Sequence, residues 1–148
     1  MQPDHLDHYG DAAGVERGFD AFAATVRPGG SLVACADDEG SARLAARAVR
    51  DDLRVVTYGT VAEAHVRAVD VRLDRGGASF DVVVLGRRVG GARIDVPGRH
   101  NVLNALAATA AAIEARRAGR GGAGRGRALH RHPPAVRVAR RRGRGAGL

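Results

Sequence analysis

The chain has 148 residues, a formal net charge of +8, a single cysteine and no lysine, so that every basic residue other than histidine is arginine. That length suits one modest domain with a real core, and the lone Cys35 excludes an internal disulfide, and with it a secreted disulfide scaffold, while fitting a reducing, cytoplasmic setting. No apolar run approaches the roughly 20 residues that span a bilayer, and Met1-Gln2-Pro3-Asp4-His5 lacks the basic-then-apolar order of a signal peptide.

The charge is unevenly placed. Residues 1–115 hold 13 arginines and all 16 acids, whereas residues 116–148 hold the other 11 arginines and no acid. The basicity therefore belongs to the C-terminal stretch and is poor evidence for a folded nucleic-acid-binding surface. Aromatic residues are few (Tyr9, Phe19, Phe22, Tyr58 and Phe80), which leaves Val, Leu and Ala to build the core.

Taken in chain order, the body predicts alternating helices and strands. From Ala12 to Val26, Val15, Phe19, Phe22 and Val26 recur at helical spacing and predict one buried face, ended by Pro28-Gly29-Gly30. Ser31 to Ala36 (SLVACA) predicts a short buried strand, Glu39 to Val49 a helix with Leu44, Ala45 and Ala48 inward, and Arg54 to Tyr58 a second strand. Strand, helix and strand in so short a span make a βαβ unit with parallel strands and a right-handed crossover. His65 to Leu73, Ala78 to Leu85 and Arg87 to Val96 then read as antiparallel strands separated by Arg75-Gly76-Gly77 and by Gly86. After Pro97-Gly98 a helix is expected from Asn101, with Val102, Leu103, Leu106, Ala110 and Ile113 on one face. Beyond Ala115 the periodicity stops, and residues 116–148, with eight glycines and two prolines, have too little apolar surface to offset the entropy of ordering. The expected fold class is α/β: a βαβ unit, antiparallel strands and a following helix over residues 1–115, then a disordered tail over residues 116–148.

Two segments carry chemistry. Asp4-His5-Leu6-Asp7-His8-Tyr9-Gly10 is dense in carboxylates and imidazoles. Such a set can hold a divalent metal, although magnesium prefers oxygen ligands; the alternative is that these side chains are simply solvated. Pro97-Gly98-Arg99-His100-Asn101-Val102-Leu103-Asn104 lies between a strand and a helix. A helix N-terminus presents free N–H groups and a positive dipole end. Asn101 and Asn104 share a face there, and an asparagine amide can both donate to and accept from an adenine edge. The alternative is that Asn101 is an N-cap and Asn104 a solvated residue. Cys35 reads as a buried strand residue, and His65, His130 and His132 have no partner at a meaningful spacing. Asp37-Asp38 read as a strand end and helix start, a place that lies near ligands in open α/β sheets.

The two segments in this order resemble the Mur ligase family. Its central ATP-binding domain carries a DHxDxxG-type segment and, later, G-x-H-N-x-x-N-x-x-A-A opening a helix. Every fixed position of the second is met by Gly98, His100, Asn101, Asn104, Ala107 and Ala108. DHLDHYG, Val33 to Asp38 (VACADD) and Val55 to Gly59 (VVTYG) look most like the branch that joins L-alanine to UDP-N-acetylmuramate in peptidoglycan synthesis. The resemblance covers residues 1–115, as the later part of a central domain. It implies ATP and Mg2+ as cofactors, His5 as the histidine that helps hold magnesium, and His100, Asn101 and Asn104 beside adenine. In such ligases ATP phosphorylates the substrate carboxylate, and the amine then displaces phosphate to form an amide. It implies no membrane partner. An alternative from another class is a small nucleic-acid-binding protein with an Arg/Gly-rich arm, able to hold RNA backbone without sequence preference. A third is a self-standing nucleotide-binding module.

Departures from the family pattern set further expectations. The family's G-x-x-G-K-[ST] phosphate loop needs a lysine, and the chain has none. The N-terminal UDP-binding domain and the glutamate that shares the magnesium are also missing, as if Met1 were an internal methionine. The sheet would then expose one edge, which invites aggregation. The chain is therefore expected to be inactive as written. In the tail, the family's F-T-G-x-x-R-R-F-E-like motif is absent in this frame. With third bases chosen freely, Leu129 to Arg140 read from the second codon base give FTGTRRRFEWR. A frameshift near Ala115 to Arg117 accounts for that. Sequencing the coding DNA and its flanks tests this: an upstream phosphate loop and FTGTRRRFE in the shifted frame are expected, and unrelated flanks with an intact tail frame would overturn it.

Overall fold

A computed structural model of the chain describes residues 12–49 and 52–121. In order these form α1 (Ala12–Ala24), β1 (Ser31–Cys35), α2 (Glu39–Arg47), β2 (Arg54–Gly59), β3 (Val66–Asp74), β4 (Gly77–Val84), β5 (Arg87–Ile94) and α3 (Arg99–Gly121). The strands make one five-stranded sheet in the order β1-β2-β3-β4-β5. The α/β class, the βαβ unit and the antiparallel strands are as the sequence predicts.

β1 and β2 run parallel, with Ser31 opposite Arg54 and Cys35 opposite Tyr58. Between them, α2 starts on Asp38, whose side chain accepts the Ser41 N–H at 2.8 Å as an N-cap. α2 buries Leu44 and Ala45, and Leu44 joins Ala23, Leu32 and Leu53 in a small apolar cluster.

β2 and β3 are also parallel, but only Tyr58–Val66 and Gly59–Arg67 are in register. A parallel crossover ordinarily takes a dozen or more residues because the chain must travel back along the strand. Here β3 starts beside the end of β2, so residues 60–65 suffice. The junction is clamped by His65, which the sequence left without a partner. The Thr57 N–H donates to His65 Nδ1 at 3.0 Å, and the His65 N–H donates to Thr57 Oγ1 at 3.2 Å.

β3, β4 and β5 are antiparallel. One face presents Val66, Ala68, Ala78, Phe80 and Val82 to Val102, Leu106 and Ala110 of α3, and these form the main core with Val56. α3 differs from expectation in three respects. It begins at Arg99 rather than Asn101, and it continues past Ala115 to Gly121, a stretch whose alanine and arginines favour helix. Its buried line runs from Ala110 to Glu114, which is 7% exposed, and Ile113 is 37% exposed. Glu114 is satisfied by the Ser31 hydroxyl and by Arg54 Nε, each at 3.0 Å, so it ties α3 to the first residues of both β1 and β2.

α1 also departs from the periodicity. Phe19 and Phe22 are 38% and 63% exposed, and the buried apolar side chain is that of Ala23. The helix ends at Ala24, before Val26, and its polar side is held on α2 by Glu16–Arg43 at 2.9 Å and Asp20–Arg47 at 3.0 Å. Its contact with the apolar cluster is made by Ala23, with Val26 just past its end, and not by the phenylalanines.

The β4–β5 hairpin turns on Leu85 (φ 48°) and Gly86 (φ 78°), between the paired residues Val84 and Arg87. Positive φ at both central positions is the type I′ turn that matches strand twist. A leucine there is strained by its Cβ, and at 66% exposure it buries little in return. Leu85→Asn is expected to raise the unfolding free energy by about 1 kcal/mol. Urea titration checks it; an unchanged or lower value would refute the strain.

Candidate nucleotide site at the strand ends

The carboxyl ends of β1 and β2 and the start of α3 meet at one end of the sheet, the side where open α/β sheets bind ligands. Asp37 organises this end. Its Oδ1 accepts the Thr60 N–H at 2.6 Å and the Val61 N–H at 3.3 Å, and its Oδ2 accepts the Thr60 hydroxyl at 2.7 Å. Arg99 Nη2 lies 3.5 Å from the same Oδ2 and donates to Thr60 Oγ1 at 2.8 Å. Burial pushes the Asp37 carboxyl up, but the bonds from Thr60, Val61 and Arg99 together outweigh it and hold the group below its ordinary value. Gly59 makes room, since a Cβ there would come within 2.1 Å of Asp37 Oδ1. Burial, with the neighbouring Cys35 and Asp37, pushes the Tyr58 phenol up.

The start of α3 is shaped by Gly98, with φ +109°; a Cβ there would lie 2.7 Å from His100 Cε1. Because that turn starts the helix at Arg99, Asn101 falls inside the first turn and is not its N-cap. Its N–H donates to the Gly98 carbonyl at 3.1 Å and its Nδ2 to the Pro97 carbonyl at 2.7 Å. Asn101 is half-buried, and His100 and Asn104 are exposed. The Asn101 amide keeps an oxygen and a second hydrogen beyond its bond to Pro97, and Asn104 follows three residues on.

The sequence-predicted residues His100, Asn101 and Asn104 are thus together. His5 lies outside the described residues. Among the described residues no group of three or more His, Cys, Asp or Glu is placed to hold a metal. Sequence reasoning missed the partnership of Asp37, Thr60 and Arg99. A cue was present: Asp37 and Thr60 each stand two residues past the register pair Cys35–Tyr58, so a parallel pair sets them side by side.

Residues 1–112 match the Mur ligase middle domain. The chain belongs to the Mur ligase family. It is 46% identical over 113 residues to the UDP-N-acetylmuramate–L-alanine ligase of Acidothermus cellulolyticus, covering 76% of this chain and 24% of that relative. It is 51% identical over 114 residues to the enzyme of the same name from Kineococcus radiotolerans, covering 77% of this chain and 24% of that relative. The chain therefore spans about a quarter of the length of these curated relatives. Among solved structures, the UDP-N-acetylmuramate–alanine ligase of Thermotoga maritima aligns with a TM-score of 0.56 and 27% identity, over 81% of this chain and 24% of that one. MurF from Acinetobacter baumannii shares the fold, with a TM-score of 0.67 at 22% identity over 78% of this chain and 24% of that one. None of these relatives is named as a nucleic-acid-binding protein, and that alternative gains no support. Among the described residues no helix is long and apolar enough to cross a membrane.

In this Mur ligase domain Asp37 has a titration signature. Its folded value lies below the ordinary 3.8. The stabilisation it provides is therefore complete above that ordinary value and is lost as pH falls through the folded one. Asp37→Asn is expected to be less stable than the parent at pH 7 by about 1–2 kcal/mol, with the gap closing below about pH 4. Urea unfolding across pH 2–7 checks this; a gap that stayed constant into acid would show that the carboxylate charge is not what the bonds require.

Proposed function

We propose that residues 1–115 are the later part of the ATP-binding domain of a ligase that joins L-alanine to UDP-N-acetylmuramate in peptidoglycan synthesis, a cytoplasmic reaction. The adenine would lie on the first turn of α3. The observation that carries this is the convergence of His100, Asn101 and Asn104 at the carboxyl ends of the parallel strands, in a chain 46–51% identical to ligases of that name. Asn101 and Asn104 lie three residues apart on one helical face. Their amides offer the donor and acceptor that an adenine N6 and N7 edge requires.

In the whole reaction the muramate carboxylate takes the γ-phosphoryl group of ATP, releasing ADP. The amine of L-alanine attacks the acyl phosphate carbon, phosphate leaves, and the amine loses its proton as the amide forms. Bound magnesium would supply charge neutralisation at the phosphates. His5 is the residue that the family resemblance puts forward to help hold it. In this division of labour His100, Asn101 and Asn104 hold and orient the base, at the end of the nucleotide remote from the reacting carboxylate. The phosphates need another element, and the chain has no lysine from which to build the family's phosphate loop. We take residues 116–148 to be a reading-frame product with no part in this chemistry.

The chain alone is therefore expected to bind adenosine weakly, with a Kd of about 1 mM, or about −4 kcal/mol. It should release no phosphate when given ATP, UDP-N-acetylmuramate, L-alanine and magnesium. Asn104→Ala is expected to remove adenosine binding without unfolding the chain, since Asn104 is exposed. Equilibrium dialysis and a phosphate-release assay check both. Alanine-dependent phosphate release would overturn the inactive assignment, and binding unaffected by Asn104→Ala would overturn the adenine site.

A further inference from the structure

Three segments far apart in sequence end in one knot that base recognition itself does not use. Asp37 follows β1, Thr60 follows β2 and Arg99 opens α3. The Thr60 hydroxyl has one hydrogen, and it spends that hydrogen on Asp37 Oδ2 at 2.7 Å. It can therefore only accept from Arg99, whose Nη2 donates to it at 2.8 Å. The chain of bonds has a fixed direction: guanidinium to hydroxyl to carboxylate. The same guanidinium stands 3.5 Å from that carboxylate oxygen, with the Asp37 side chain 12% exposed and Arg99 68% exposed.

The first turn of α3 needs such a tether. The buried line of α3 begins only at Val102, so the apolar core does not hold the residues before it. Gly98 adds backbone freedom at the hinge, and the first amides of a helix have no intrahelical acceptor. Arg99 precedes His100 and Asn101 directly, and its bonds run to the loops after β1 and β2.

We infer that Asp37, Thr60 and Arg99 are positioning residues that fix the first turn of α3 on the ends of the parallel strands and thereby set the affinity of His100, Asn101 and Asn104 for an adenine base. The affinity half of this rests on the adenine reading given above; the positional half does not.

Two measurements on the full chain separate these halves. In an α-helix the amides of Leu103 and Asn104 bond to the carbonyls of Arg99 and His100. Arg99→Gln and Asp37→Asn should each speed hydrogen exchange at these two amides by about tenfold beyond any change at Val82 in the core, whose rate carries the global loss of stability expected of Asp37→Asn. Each variant should also weaken adenosine binding by about fivefold, and the double variant should be no weaker than either alone, because both break one network. Arg99→Lys, which keeps a donor, should recover part of both losses. Arg99 is mostly exposed, so its variants keep the fold testable if Asp37→Asn unfolds. Parent exchange rates at Leu103 and Asn104 in Arg99→Gln would overturn the positioning role. Faster exchange with unchanged adenosine affinity would overturn its link to the site. Absence of adenosine binding by the parent chain would overturn the adenine reading and the affinity half with it, and exchange alone would then decide the positional half.

Discussion

The fold depends on one helix bridging two half-sheets that barely touch. β1 and β2 form a parallel half, and β3, β4 and β5 an antiparallel half; between them only two residue pairs are in register. Two ladder pairs cannot set the relation of the halves against thermal motion. α3 does so by laying Val102, Leu106 and Ala110, all 0% exposed, across Val56 of one half and Val66, Ala68, Ala78, Phe80 and Val82 of the other. Burying side chains of this size stabilises by about 1.5–3 kcal/mol each for the larger ones, far more than any single hydrogen bond at the junction. The Thr57–His65 clamp then refines a relation that the helix has already imposed.

The polar contacts of α3 divide its length. At one end, Glu114 is held by Ser31 and Arg54, the first residues of the two parallel strands. At the other, Arg99 reaches the loops that follow the same two strands. The helix is thus pinned at both ends to the parallel half and along its middle to the antiparallel half. Glu114 is nearly buried and Arg54 is 41% exposed, so the carboxylate gains a charged partner without the full desolvation of a second ion. Neither pin could be moved along the helix without losing the run of apolar residues four apart that lies between them.

Much of this was legible in the sequence because periodicity and glycine placement report local structure directly. The βαβ unit follows from SLVACA, a helical spacing and RVVTY. The hairpins follow from glycines at the turns, and the α3 stripe from Val102, Leu106 and Ala110. What was not legible depends on partners distant in sequence. Phe19 and Phe22 mark an apolar face, but periodicity cannot say what that face meets, and α1 meets the cluster through Ala23 while Glu16 and Asp20 pair with α2. Glu114 was passed over for Ile113 because hydrophobicity ranks isoleucine above a carboxylate; only Ser31 and Arg54, 83 and 60 residues away, make burial of the acid favourable. His65 had no partner at helical or metal spacing because its partner is a strand residue across a parallel junction.

The candidate site shows the same division. His100, Asn101 and Asn104 were visible because they fall in one short segment, and a helix start brings them together whatever the rest of the chain does. The N-cap alternative for Asn101 failed for a local reason: Gly98 adopts a positive φ that lets the helix begin at Arg99. Asp37 is the more instructive case. As a strand-end acid it looked like a helix cap, a role that its neighbour Asp38 in fact fills through Ser41. With capping assigned to Asp38, the Asp37 carboxylate is released to face β2, where Thr60 and Val61 supply three bonds. Two adjacent aspartates thus divide the work at this strand end. One starts the helix that makes β1 and β2 parallel, and the other joins their ends to the helix that carries His100, Asn101 and Asn104.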